Sequence, residues 1–189
     1  MLPRRIRRLP GCSYTGARTY FVTVLTKQRV RHFENASIVE CCAAQILRAC
    51  AKEKFEVLAS CYMPDHWHAL VRGMTTGSEF LRFIKLAKQL SAYHVKQEFR
   101  VELWGRGFHD RVVREDEGVM RYVRYIWNNP VVARLVSDPS DYAHLYLAPE
   151  FRQLLDETRG LKAAPTGREG DLLVTRDLKV APTGRPGSP

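Results

Sequence analysis

His66, Trp67 and His68 stand in the segment MPDHWHALV (63–71), just after a Pro-Asp pair and in an otherwise apolar run. Side chains alternate across a β-strand, so a strand here projects His66 and His68 from one face and Trp67 from the other. Two imidazoles at that spacing can grip one divalent ion; the alternative is a pair of surface histidines. A metal reading calls for a third ligand and a reacting group, and MRYVRYIWNN (120–129) offers candidates for both. On a helix turning about 100° per residue, Val119, Met120, Val123, Ile126 and Trp127 form an apolar stripe and Tyr125 falls opposite it. Asn129 shares the Tyr125 face one turn on, and Arg121 one turn before. A plain exposed tyrosine is the alternative to a reactive one.

A tyrosine phenol can attack phosphorus and hold DNA as a phosphotyrosine, splitting strand transfer into two steps. With an ordinary pKa of about 10 it is protonated at neutral pH, so the charge on the scissile phosphate must also be neutralised. A divalent ion held by His66, His68 and one oxygen ligand, with positions left open, would polarise that phosphate. Mn2+ suits a mixed nitrogen and oxygen set, whereas Mg2+ prefers oxygen throughout. Asn129 could supply the oxygen through its side-chain carbonyl.

The elements that must position these groups follow from the hydrophobic pattern. TYFVTVLT (19–26) is β-branched and aromatic and predicts a strand. Asn35 or Ser37 can cap a helix through SIVECCAAQILRACAKE. EVLASCYM (56–63) and HWHALVRG (66–73) predict two antiparallel strands joined by a tight turn at Pro64-Asp65. Residues 77–99 predict a long amphipathic helix with Phe80, Phe83, Ile84, Ala87 and Leu90 inside and Arg82, Lys85 and Lys88 mostly off that stripe. A fourth strand lies within 103–114, and a last helix over 115–129 starts with acidic residues and stops at Pro130. The order βαββαβα predicts an α+β fold: a ferredoxin-like antiparallel sheet with helices mainly on one face.

The chain has 189 residues and a net charge of +10. Residues 151–189 hold seven basic and five acidic residues, so a surplus of 8 falls in residues 1–150. A compact basic domain suits a polyanion, nucleic acid first. No apolar run approaches the ~18 residues a membrane span needs, and no apolar stretch follows the basic start MLPRRIRRLPG. A cytoplasmic protein without membrane association is the expectation. The five cysteines form no CxxC pair and are read as reduced and structural. LKAAPTGR (161–168) returns as LKVAPTGR (178–185) in a Pro- and Gly-bearing segment without aromatics after residue 151. That composition predicts two parts: a domain over 1–150 and a disordered, low-complexity tail over 151–189.

RTYFVTVLT, YMPDHWHALV, LWGRGFHDRVVR and MRYVRYIWNNPVVARLV, in that order, resemble the single-tyrosine HUH transposases, and more closely the REP-associated tyrosine transposases. The likeness runs from about residue 10 to residue 147 and leaves the tail unmatched. It implies that His66 and His68 are metal ligands, Tyr125 the nucleophile and Asn129 the third ligand, with Mg2+ or Mn2+ as cofactor. It also implies an enzyme that cuts and rejoins single-stranded DNA at hairpins of repeated palindromic sequence, as a monomer or homodimer. The basic residues fit that substrate: Arg4, Arg5, Arg7 and Arg8 as a phosphate-following arm, Arg82, Lys85 and Lys88 along a groove, and Arg121 beside the tyrosine. Trp104, Phe108 and Tyr122 are candidates for base stacking. The rival reading is a non-catalytic nucleic-acid-binding domain of the same fold, which predicts Tyr125 far from the two histidines. A closed zinc module would need four protein ligands, and no cysteine lies at ligand spacing from His66.

Overall fold

The run TYFVTVL forms β1 (Thr19–Leu25), and the chain continues through α1 (Ala36–Glu53), β2 (Phe55–Met63), β3 (His66–Gly73), α2 (Phe80–Phe99), β4 (His109–Val113), α3 (Val119–Val132), β5 (Leu145–Leu147) and α4 (Pro149–Gly160). The computed structural model describes residues 14–114 and 118–160. The five strands make one antiparallel sheet in the order β4-β1-β3-β2-β5. β3, which carries both histidines, is therefore the central strand. The expected α+β fold is present.

Alternation along β1 and β3 sends two sets of side chains to opposite faces. Tyr20, Val22, Val24, Trp67, Ala69 and Val71 join one buried cluster with Ile38, Cys42 and Ile46 of α1 and Phe80, Phe83, Ile84 and Ala87 of α2. Those helix positions recur every three or four residues, which gives each helix one apolar side to lay on the sheet. The aromatic rings there are in close contact, with Tyr20 stacked on Phe80 at 4.2 Å and Phe55 on Phe83 at 4.6 Å. Asn35 caps α1 by accepting from the Ser37 N–H at 3.0 Å, one of the two caps the sequence offered. Pro64 and Asp65 form the two-residue turn between β2 and β3. The Asp65 carbonyl is tied to the Thr26 N–H at 3.0 Å and the Thr26 hydroxyl at 2.9 Å.

Helix α3 lies on the other face. Its Tyr122 and Tyr125 rings meet Phe21, whose side chain points away from the α1–α2 cluster. Gly118 precedes it with φ of 70°, a left-handed turn that glycine adopts without strain. The sequence put the helices mainly on one face. The two longest do share one, while α3 covers the opposite side over β2 and β3.

Three boundaries depart from the sequence reading. Pro130 does not stop α3, which runs on to Val132. A proline in the last turn forfeits only its own N–H, and the Asn129 carbonyl still accepts from the Ala133 N–H at 3.0 Å. β5 is three residues long, too short for its alternation to register in the sequence, and pairs with β2 through Ala59, Ser60 and Cys61. Residues 151–160, read as the start of the tail, belong to α4. The repeats at 161–185, Arg4, Arg5, Arg7, Arg8, Cys12 and the acidic run 115–117 lie outside the described residues. Cys41, Cys42, Cys50 and Cys61 are free thiols. Among the described residues no helix is long and apolar enough to cross a membrane.

Candidate active site

The site is assembled on β3, from its neighbour β1 and from the turn that precedes it. His66 and His68 share the face opposite Trp67, and their Nε2 atoms converge to 3.0 Å. Each ring is held from behind. His66 Nδ1 lies 2.6 Å from Asp65 Oδ1, and Asp65 Oδ2 accepts from Arg29 Nε at 2.8 Å. His68 Nδ1 lies 2.8 Å from Thr23 Oγ1. That contact is set by register, because Thr23 stands directly opposite His68 in the β1–β3 ladder.

Burial would raise the Asp65 carboxyl, but its hydrogen bonds to His66 and Arg29 outweigh that and bring it down to about 2. His68 is pushed well below the usual imidazole range, first by burial and then by the neighbouring His66; Asp65 opposes the shift. Asp65 is therefore an anion at neutral pH and His68 a neutral ring. Neutral imidazoles with an outer partner on Nδ1 and a converging Nε2 are the donor set that a divalent ion takes from a histidine pair. His66 and His68 fit such an ion. Among the described residues no cluster of three or more His, Cys, Asp or Glu has metal-binding geometry, so a third protein ligand would come from another residue type.

Tyr125 reaches this face from α3. Its ring meets His68 edge-on at a centroid distance of 5.5 Å and Phe21 at 5.6 Å. Phe21 in turn stacks on His68 at 5.6 Å. Tyr125 is half-buried, between the solvent and the core side of α3. Asn129 is half-buried one turn further along, and its backbone carbonyl accepts from the Ala133 N–H. Tyr122 is fully buried against Phe21 and belongs to the core.

The described basic residues named as DNA contacts stand on two helices. Arg121 is exposed on α3, one turn before Tyr125. Arg82, Lys85 and Lys88 are on α2, behind the sheet. Arg82 pairs with Glu53 at 3.1 Å. Lys88 does not project into solvent: its ammonium donates to the Gly105 and Gly107 carbonyls at 3.1 and 2.5 Å, and holds that loop against α2. Trp104 and Phe108 are half-buried against the core cluster, and the Trp104 indole N–H donates to Ser91 at 2.8 Å.

Thr23, Asp65, Arg29 and Phe21 escaped the sequence reading. Asp65 had a signal, since it adjoins His66 in PDHWH. Thr23 and Phe21 become visible only once β1 is paired with β3 in register. Arg29 sits in a loop where Gln28 and Arg29 both have left-handed φ, 55° and 56°, a conformation that disfavours non-glycine residues by about 1–2 kcal/mol each.

The chain belongs to the IS200-like transposase family, whose profile matches residues 16–129 and so spans β1, both histidines, Tyr125 and Asn129. It is thus a member of a family of DNA-cleaving and DNA-joining enzymes. A REP-associated tyrosine transposase of Haemophilus influenzae is 25% identical over 142 residues, covering 69% of this chain and 80% of that protein. The solved structure of a REP-associated tyrosine transposase bound to a REP hairpin superposes with a TM-score of 0.64 at 21% identity, over 85% of this chain and 88% of that one. That likeness is one of fold.

Proposed function

We propose that the chain is a metal-dependent single-stranded DNA endonuclease and strand transferase. Its substrate is hairpin DNA of repeated palindromic sequence, and its nucleophile is Tyr125. The observation that carries this reading is the meeting of Tyr125 with the paired histidines across two separate elements, at 5.5 Å between the Tyr125 and His68 rings. A non-catalytic binding domain gives no reason for that convergence. The choice of substrate draws on the two REP-associated relatives, one of which is bound to a REP hairpin.

His66 and His68 would hold a divalent ion, Mn2+ or Mg2+, with the Asn129 carboxamide oxygen as third ligand. Such an ion supplies Lewis-acid polarisation of the scissile phosphate. Tyr125 Oη attacks the phosphorus, its proton passes to solvent, and a bond forms between phosphorus and the phenolic oxygen. The bond from phosphorus to the 3′ oxygen breaks, and that oxygen leaves as a free 3′ hydroxyl once protonated. The 5′ end stays joined to Tyr125. Attack by another 3′ hydroxyl reverses these steps, releases the phenol and joins the strands. Phe21 and His68 both contact the Tyr125 ring and limit its orientations, which shortens the search for in-line attack. Arg121 adds positive charge beside it.

The test is incubation with a single-stranded hairpin oligonucleotide of repeated palindromic sequence and Mn2+, followed by peptide mapping. The expected result is a DNA adduct on Tyr125 that chelator suppresses. An adduct on another residue, or cleavage untouched by chelator, overturns the assignment.

A further inference from the structure

Trp104, one of the aromatics the sequence offered for base stacking, borders a cavity that the site above does not use. The space measures about 290 Å³ and is lined by Lys27, Ala92, Lys96, Glu102, Leu103 and Trp104. Ala92 and Lys96 stand one turn apart on α2. Leu103, Trp104 and Gly105 run antiparallel to the end of β1: the Lys27 N–H donates to the Leu103 carbonyl and the Gly105 N–H to the Leu25 carbonyl, both at 2.9 Å. The Trp104 ring rests on Phe33 at 5.4 Å and on Trp67 at 6.4 Å. It is half-buried, and Ser91 takes its indole N–H. The cavity thus has one aromatic wall fixed in orientation and cations around it.

The segment that follows the wall is clamped. The Lys88 ammonium donates to the Gly105 and Gly107 carbonyls. A Cβ on residue 105 would meet the Thr26 carbonyl oxygen at 3.2 Å, so glycine lets the segment lie close against the end of β1. Gly107 has φ of 77°, which glycine adopts without strain. A wall fixed before its ligand arrives lowers the ordering cost of binding. The cavity also lies round the end of the sheet from the histidines. Leu25 stands opposite His66 in the β1–β3 ladder, Arg29 bonds Asp65, and Lys27 falls between them in sequence. Two residues span at most about 7 Å, so a strand that passes Arg29 meets Lys27 next. Arg82 is about 20 Å further back along α2, and its partner Glu53 precedes the start of β2, at the end of the sheet away from His66.

We propose that this cavity binds one unpaired nucleobase of the DNA strand cut at Tyr125, with the base against the Trp104 indole and the adjoining phosphates on Lys27 and Lys96. The subsite rests on the DNA-cleaving reading given above and extends it. An aromatic wall stacks any base, because every base has a π-face, and lysines beside it follow the backbone. The lining carries the matching charge. Lys27 is paired with Glu102, whereas Lys96 has no acidic ion-pair partner among the described residues, which leaves a net positive charge. A base inside a duplex is held in its stack and cannot enter without being extruded. The cavity therefore distinguishes the unpaired arm of a hairpin from its stem.

The experiment is photo-cross-linking of the full-length protein to the hairpin oligonucleotide of the cleavage test, with 5-iodouracil placed singly at each unpaired position and, for comparison, in the stem. An unpaired position should give an adduct that peptide mapping places on Trp104. Trp104→Leu removes the wall, and Ala92→Leu narrows the cavity from a half-buried position outside the core cluster. Each should bind the oligonucleotide about five- to a hundredfold more weakly, the value of one stacked base. An oligonucleotide lacking the cross-linking nucleotide should bind parent and variants alike, which a merely structural role for these residues would not produce. No adduct on Trp104, adducts from stem positions alone, or parental affinity in a folded Ala92→Leu overturns the proposal. A Tyr125 adduct formed by the parent in the same mixture then leaves the cleavage reading standing. If Trp104→Leu fails to fold, the cross-link and Ala92→Leu decide. Absence of both the Tyr125 adduct and any cross-link overturns the cleavage reading and the proposal together.

Discussion

β3 carries different burdens on its two faces. On one, Trp67 is buried between Tyr62 and Trp104, and its indole N–H donates to the Ser60 hydroxyl at 2.8 Å. On the other, one residue away in each direction, two imidazoles face each other beneath a tyrosine. The first face fills space with large apolar groups whose polar atoms are satisfied, as a core requires. The second buries His68 with its pKa driven down and gathers polar groups where an apolar face would pack better. A single central strand can serve both ends because its alternation keeps the two sets apart.

The largest effect that separates the faces concerns the reaction. Tyr125→Phe removes one hydroxyl and no charge, and the ring keeps its contacts with Phe21 and His68. Cleavage of a single-stranded hairpin should fall by a factor on the order of 10⁴ or more, as loss of a nucleophile does, while DNA affinity in a filter-binding assay stays near the parent's. Cleavage at the parental rate removes Tyr125 from the mechanism.

The next effect concerns stability. Trp67→Ala should lower the unfolding free energy by about 3–5 kcal/mol, the range for deleting a buried indole, and it also strands the Ser60 hydroxyl. His66→Ala, on the half-buried side of the same strand, should change it by only about 1 kcal/mol. Urea unfolding of the two variants decides. Equal losses would show that the site face carries as much of the fold as the core face.

A smaller effect is pH-dependent and belongs to the α2 side. Burial pulls the Lys88 ammonium down from 10.5 to about 8. Below that value Lys88 is charged in both the folded and unfolded states, and folding bears the whole cost of burying the charge. Between the two values the folded protein sheds the proton while the unfolded chain keeps it, so stability rises with pH. The gain should be about 1–3 kcal/mol across that window and should vanish in Lys88→Met. An equal rise in the variant assigns it to another group.

Periodicity alone made much of this molecule legible. β3 matched residue for residue, and the helical phase put Tyr125 away from the apolar stripe, because both inferences depend on local alternation. What lay beyond reach depends on partners distant in the chain. Thr23 is 45 residues from His68, and Arg29 is 36 from Asp65; neither contact leaves a local trace. Lys88 was misleading for a related reason. A lysine off the apolar stripe normally meets solvent, but here a loop with two available carbonyls covers it. The end of α3 failed differently: the rule that proline stops a helix weakens in the last turn, where one missing N–H changes little.

The smallest expected effect tests whether the division of the sheet extends to DNA. Arg121 and Arg82 are both exposed arginines on long helices, and the sequence placed both on the DNA-binding surface. The structure separates them. Arg121 precedes Tyr125 by one turn on the face of the histidines, whereas Arg82 lies behind the sheet with Glu53 as an ion-pair partner. A phosphate drawn to Arg82 would have to displace Glu53, and a strand reaching Tyr125 has no need to pass there. Arg121→Ala should weaken single-strand binding and flatten the dependence of log affinity on log salt by about 0.7, the value for one lost phosphate contact. Arg82→Ala should leave that slope unchanged. Equal changes for both variants would mean that the DNA wraps around the sheet edge, and the α1–α2 side would then be a binding surface as well as a core.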